Sequence, residues 1–210
     1  KLETTWRAKL SEQHEIESLL TDTDSFAPSK EFAEAAIAKP GVYDRAQEDR
    51  LEFWAEKARE LHWHKPFTET LDFTNAPFAK WFADGELNVS YNCLDRHVEA
   101  GWGKRVALFF EGEPGDSQVY TYLDLLKAVK KAANVLIRMG VEPGDRVAIY
   151  MPMIPEAIIA IQAVVRIGAV HSVVFGGFSA ESLASRIQDA GAKVVITADG
   201  GYRKGKASAL

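Results

Sequence analysis

Apolar positions follow two textures along this chain, and the change falls near Arg105. Beyond that point short β-branched runs alternate with longer stretches whose apolar residues recur at helical spacing. Val106-Ala107-Leu108-Phe109-Phe110 reads as a strand, Glu113-Pro114-Gly115-Asp116 as a turn, and Val119-Tyr120 as the returning arm of a hairpin. Thr121, with Asp124 three residues later, sets up a capping box for a helix with an inward stripe of Leu123, Leu126, Ala133, Leu136 and Ile137. Gly140 ends that helix, and Pro143-Gly144-Asp145 turns the chain into the apolar run Arg146-Val147-Ala148-Ile149-Tyr150, suited to a central strand. Pro155 opens a helix that is apolar nearly all round from Glu156 to Ile167 and is closed by Gly168. Val170–Phe175 and Lys193–Thr197 are predicted strands flanking a helix over Ser179–Ala190. Repeated strand-helix-strand units predict an α/β fold with parallel pairing and right-handed crossovers.

The first hundred residues are richer in Trp, Phe and Pro and show helical patches between loops. Leu10, His14, Glu17 and Leu20 mark one short helix. Pro28-Ser29-Lys30-Glu31-Phe32 begins another, with Ser29 as its cap. A third is predicted from about Tyr43 to Leu61, with Leu51, Trp54, Ala55, Ala58 and Leu61 on one face. The stretch Leu87-Asn88-Val89-Ser90-Tyr91-Asn92-Cys93-Leu94-Asp95-Arg96-His97 interleaves polar groups with apolar anchors and fits neither a plain helix nor a plain strand. The expected organisation is a helical, aromatic-rich lobe over residues 1–100 packed on an α/β part over residues 101–210.

Composition narrows the function classes. The 210 residues are 47% hydrophobic and 26% charged, with net charge -5, which gives no electrostatic reason to expect a nucleic-acid partner. Cys93 is the single cysteine, so there is no disulfide framework and no multi-thiolate metal site; it is expected as a buried thiol, in a cytoplasmic protein. The longest apolar stretch, Ala157 to Phe175, is interrupted by Gln162, Arg166, Gly168 and His171 and is a poor membrane span.

Two segments could carry chemistry. Phe175-Gly176-Gly177-Phe178-Ser179 lies between a predicted strand end and a helix start, where open α/β sheets bind ligands. Its glycines let a ligand approach the backbone or simply serve a tight turn, while Ser179 caps the helix and Glu181 weakens the case for a phosphate there. No G-x-G-x-x-G or G-x-x-x-x-G-K-[ST] motif occurs. Gly200-Gly201-Tyr202-Arg203-Lys204-Gly205-Lys206 puts three cations on a glycine-rich loop, either a solvated surface loop or a phosphate grip with Tyr202 to stack on a base. Asn92, Asp95, Arg96 and His97, and likewise His62 and His64, are expected to make structural polar contacts rather than to bind a metal.

Taken together, the Asn88–His97 stretch, the Phe-Gly-Gly-Phe-Ser turn and the Tyr-Arg-Lys-Gly-Lys segment make this chain resemble the AMP-forming acetyl-CoA synthetases of the acyl-adenylating (ANL) superfamily. The resemblance implies part of an ANL-type large N-terminal domain and the reaction of acetate, ATP and coenzyme A to acetyl-CoA, AMP and diphosphate through acetyl-adenylate, with Mg²⁺. It implies that Arg203 and Lys206, with Lys204 and Gly205 between them, face the 3′-phosphate and adenine portion of coenzyme A, and that Phe175, Gly176 and Gly177 line the path of its pantetheine arm. Lys206 departs from the Arg that relatives often have. The adenylation site, its metal and the mobile C-terminal domain would lie beyond the part matched, so no catalytic residue or metal ligand is assigned, and a protein ending at Leu210 is expected to be inactive. A ligase for propionate or another short acid, and a non-catalytic module that binds coenzyme A or a partner, stay open as alternatives.

Overall fold

The computed structural model describes residues 26–210, so the helix expected around Leu10 to Leu20 lies outside the described residues. The chain divides into two compact units, one ending at Arg50 and the other running from Leu51. In the first, Ser29 Oγ accepts the Phe32 N–H at 3.2 Å and starts α1 (Lys30–Ala35). Helix α2 (Val42–Glu48) follows. The long helix expected to Leu61 is broken at Asp49, which adopts φ -141° and ψ 89°, and resumes as α3 (Arg50–Arg59). Aspartate favours the non-helical position in front of a helix start. On the expected face of α3 only Ala55 and Ala58 are buried; Leu51, Trp54 and Leu61 are partly exposed.

After α3 the chain is mostly loop, with the short antiparallel pair β1 (Leu71–Asp72) and β2 (Lys80–Trp81) and an aromatic knot of Trp63, Phe67 and Phe82. The stretch that fits no standard periodicity contains one π-helical turn, Tyr91–Asp95, and a second, Val98–Trp102, directly follows the stretch. In the first, the Arg96 N–H reaches back five residues to the Tyr91 carbonyl. This wider winding directs Asn92, Leu94 and Asp95 inward and leaves Cys93 exposed, correcting the expectation of a buried thiol.

The hairpin of β3 (Val106–Glu111) and β4 (Ser117–Thr121) is antiparallel and leads into α4 (Tyr122–Arg138). The Thr121–Asp124 capping box is present. The helix ends with the Gly140 N–H on the Ile137 carbonyl (2.9 Å) and the Val141 N–H on the Leu136 carbonyl (3.0 Å), Gly140 taking φ 83°. These are the paired bonds of a Schellman close, and the positive φ is why glycine stands there. The buried stripe of α4 is Leu125, Leu126, Val129, Ala133 and Leu136. Leu123 and Ile137, expected inward, are partly exposed because the helix meets its neighbours about one residue round from the predicted face.

Strands β5 (Arg146–Met151), β6 (Val170–Phe175) and β7 (Val194–Thr197) form a parallel sheet in the order β6-β5-β7. The middle strand, β5, is buried through Val147, Ala148, Ile149 and Tyr150. Helix α5 (Pro155–Arg166) packs on α4 as well as on β5 and β6, as its all-round apolar character requires, with Ala163 and Val164 fully buried. Helix α6 (Ala180–Ala190) also touches β5 and β6. A final antiparallel hairpin, β8 (Gly200–Arg203) and β9 (Lys206–Ala209), follows β7.

Candidate functional site

The carboxyl ends of β5 and β6 bring Met151-Pro152 and the Phe175–Ser179 bend side by side. The bend closes with the Phe178 N–H on the Phe175 carbonyl (3.0 Å), and Ser179 Oγ caps α6 by accepting the Ser182 N–H at 3.3 Å. The Tyr150 hydroxyl, at the end of the buried strand, lies 2.9 Å from the Phe178 carbonyl and 3.2 Å from that of Gly176, pinning the bend from below. Neither Gly176 nor Gly177 adopts a positive φ, so space is their reason for being there. A Cβ on Gly177 would stand 2.6 Å from the Phe175 ring. One on Gly176 would stand 3.3 Å from both the Met151 carbonyl oxygen and Leu210 Cδ2. Phe175 and Phe178 meet edge to face at 5.9 Å, and the Arg186 guanidinium lies over the Phe178 ring at 4.5 Å. Glu181, in the first turn of α6, is held below the usual carboxylate range by its own backbone N–H and by Ser179.

The cationic segment, expected as a loop, is a β-hairpin. Gly200, Gly201, Tyr202 and Arg203 pair with Ala209, Ser208, Ala207 and Lys206. Only Lys204 and Gly205 form the connection, both at positive φ (53° and 73°), the geometry of a primed two-residue turn. Arg203 and Lys206 are therefore directly opposite and share one face, and Tyr202 turns to the other. All four residues from Arg203 to Lys206 are exposed. At its base the hairpin leans on the sheet edge: a Cβ on Gly201 would touch Pro152 at 3.0 Å, and Leu210 reaches Gly176. At its tip the Gly205 N–H donates to the Glu113 carboxylate from the β3–β4 turn. The structure thus brings together the bend and the base of the hairpin, the two segments singled out in the sequence. Tyr150, Pro152 and Glu113 complete the arrangement, and nothing in their spacing marks them.

The polar residues of the π-helical segment do a different job. Asp95, 10% exposed, takes a two-pronged pair of bonds from Arg166, 23% exposed, at 2.6 and 2.9 Å, with Lys130 at 3.7 Å. Burial pushes the Asp95 carboxyl up, but the Arg166 guanidinium, helped by Lys130, prevails and holds it below its ordinary value. Asn92 Oδ1 accepts the His62 N–H at 2.8 Å while Nδ2 donates to the His62 carbonyl at 2.9 Å. Asn88 Nδ2 donates to the Val165 and Arg166 carbonyls at the end of α5 (3.3 and 3.1 Å), and Arg96 to the Glu60 carbonyl (2.9 Å). His97 stacks on Trp102 at 5.5 Å, and burial, with the Arg96 charge, lowers its pKa. These are the structural contacts expected of that segment. Two open cavities flank Arg166 near the amino ends of the strands. One is about 360 Å³ and includes His62, His64 and Tyr91; the other is about 650 Å³ and includes Lys130, Ile137 and Val141. Among the described residues no three His, Cys, Asp or Glu side chains converge to hold a metal.

Comparison with known proteins bears on the whole chain. Residues 94–209 match the family model described as AMP-binding enzyme, and residues 41–93 that described as acetyl-coenzyme A synthetase N-terminus. The chain is 61% identical over 195 residues to an acetyl-coenzyme A synthetase of Streptomyces avermitilis and 63% identical over 195 residues to one of Streptomyces coelicolor. In each case 93% of this chain and 30% of the relative is covered. A Mycobacterium bovis protein of the same description is 59% identical over 189 residues, 90% of this chain and 29% of the relative. The chain therefore spans about a third of the length of these curated relatives.

Proposed function

Because this chain belongs to the AMP-binding enzymes and carries an acetyl-coenzyme A synthetase N-terminus, we propose that it forms the coenzyme A-facing, amino-terminal part of an AMP-forming acetate–CoA ligase. The observation that carries the reading is the cation pair Arg203 and Lys206, held opposite one another on a hairpin whose base meets Pro152 and is followed by Leu210 against Gly176 of the bend. A guanidinium and an ammonium on one face suit a phosphate monoester: Arg offers a planar fork and Lys a mobile point charge, with the Lys204-Gly205 turn between them. Tyr202 stands on the other face of the hairpin. The Phe175–Phe178 pair gives the neighbouring surface apolar walls for an uncharged arm. Right-handed crossovers, the general rule for such units, would send α5 and α6 to opposite faces of the β6-β5-β7 sheet, with ligand space at the carboxyl ends of the strands, the edge on which this bend lies.

In the full reaction acetate oxygen attacks the α-phosphorus of ATP, releasing diphosphate. The thiol sulfur of coenzyme A then attacks the acetyl carbon of the adenylate, and AMP leaves with the bonding pair. The part played by these residues is to bind and orient the thiol-bearing nucleotide. No Mg²⁺ ligand is assigned to them, and any Mg²⁺ accompanying ATP is proposed to be held by other residues of the polypeptide. A domain division near residue 100, a cytoplasmic location, and a requirement for an ATP-binding part and a mobile C-terminal domain belong to the same proposal. Among the described residues no helix is long and apolar enough to cross a membrane.

The test is a steady-state study of the full-length enzyme with Arg203→Ala and Lys206→Ala. The KM for coenzyme A should rise about tenfold or more, consistent with loss of one or two charge-assisted phosphate bonds, while the KM for ATP stays within about twofold. Unchanged coenzyme A kinetics would remove the assignment. An acyl panel on the same enzyme separates acetate from propionate, and a 210-residue polypeptide that forms acetyl-CoA from ATP would refute the proposal that these residues are inactive alone.

A further inference from the structure

Glu113 sits 92 residues before Gly205 at the tip of the hairpin, and among the described residues it is the one carboxylate bonded to that cationic turn. Its mounting is stiff. Gly112 and Asp116 close the β3–β4 turn through the Gly112 N–H and the Asp116 carbonyl (2.7 Å), Pro114 fixes the next φ, and Gly115 takes φ 92°. The carboxylate accepts from the Gly205 backbone N–H, and among the ion pairs of the described residues none joins it to Arg203, Lys204 or Lys206. This choice of partner decides between two roles. A carboxylate paired with the cations would compete with a phosphate for them. One bonded to the turn backbone fixes where the cations stand and leaves their donors open.

We propose that Glu113 is a positioning residue for phosphate recognition by Arg203 and Lys206: it clamps the turn between them so that the two cations are presented together to coenzyme A. The inference rests on the coenzyme A reading above and adds to it the element that sets the geometry. The hairpin is then held at both ends, by Pro152 and Leu210 at its base and by Glu113 at its tip. Without the clamp, a two-stranded ribbon of four residue pairs is marginal in water, and its tip explores many orientations. Ordering it on binding then weakens the complex without touching the chemistry.

The experiment uses the full-length enzyme with Glu113→Ala, Glu113→Gln and the Arg203→Ala/Lys206→Ala pair, assayed with coenzyme A and with 3′-dephospho-coenzyme A. Glu113→Ala should raise the KM for coenzyme A about three- to tenfold, with kcat and the KM for ATP nearly unchanged. Glu113→Gln, which keeps an acceptor oxygen, should recover most of the loss. With the dephosphorylated substrate the Glu113→Ala effect should fall to about twofold or less. Hydrogen exchange of the Tyr202–Ala207 amides should quicken in the free Glu113→Ala enzyme. A lowered KM for coenzyme A would make Glu113 a competitor, and equal effects on ATP and coenzyme A would make it a general structural residue; either overturns the proposal. If the Arg203/Lys206 variant impairs coenzyme A binding and Glu113→Ala does not, the clamp alone fails. If neither does, the coenzyme A reading fails with it.

Discussion

Replacing Arg166 by Met isolates the clamp that ties the π-helical segment to the end of α5. The substitution keeps the length and most of the apolar stem of the side chain but removes both bonds to Asp95, at 2.6 and 2.9 Å. Breaking a buried pair from one side costs about 3–5 kcal/mol, because the surviving charge stays desolvated. Here Arg166 is 23% exposed and Lys130 remains 3.7 Å from the carboxylate, so about 2–3 kcal/mol is expected. For a chain of this size that corresponds to a fall in Tm of about 5–10 °C. Urea unfolding followed by tryptophan fluorescence reads the difference directly, with an unchanged slope showing that only stability has moved. The pH dependence gives a second signature. In the native protein Asp95 has a lowered pKa, so its contribution is complete above its unfolded value of about 3.9 and is lost as pH falls through the folded one. Without the guanidinium, burial dominates and raises the pKa, so Asp95 in the variant takes up its proton at higher pH. The deficit relative to wild type should therefore shrink between pH 7 and pH 4. A double variant that adds Asp95→Leu should recover part of the loss, since no charge is then left stranded. A deficit below about 1 kcal/mol, independent of pH and unaffected by Asp95→Leu, would refute the reasoning.

Other expectations follow from local geometry. Thr121→Ala removes the side-chain acceptor of the α4 capping box and should cost about 1 kcal/mol by denaturant titration. Ile149→Ala, in the fully buried middle strand, should cost about 2–5 kcal/mol and lower the unfolding midpoint. Gly200→Ala places a Cβ 2.6 Å from the Ser208 carbonyl oxygen of the paired strand; it should loosen the final hairpin, seen as faster hydrogen exchange there with little change in α4. His97, its pKa lowered by burial and by Arg96, contributes fully above its unfolded value of about 6.5 and less as pH falls through the folded one, so His97→Gln should flatten the pH dependence of stability just below 6.5.

The α/β half was readable because its signals agree: β-branched runs bounded by glycine turns, a capping box, and an all-apolar helix that can only be a middle layer. Details set by neighbours were not. The inward face of α4 turns on how α5 meets it, so Leu125 and Val129 replaced Leu123 and Ile137 in the core. The helix expected from Tyr43 to Leu61 had a continuous pattern, and only the backbone preference of Asp49 interrupts it. Cys93 faces outward against expectation because its orientation depends on a π-helical turn, whose five-residue return the 3.6-residue period does not anticipate. At the site, the two segments named from sequence do adjoin, but glycine and lysine richness disguised a primed turn as a loop. Tyr150 and Glu113 act from elsewhere in the chain, through contacts that exist only once the sheet and hairpins are assembled.

The strand order β6-β5-β7 carries a consequence for how the molecule can be shortened. Val147 pairs with Val194, so one flank of the most apolar strand stays open until residues 47 positions later arrive. Any version cut before Val194 would leave that flank a bare, hydrophobic template for joining other chains, and such truncations should precipitate rather than yield a smaller working piece.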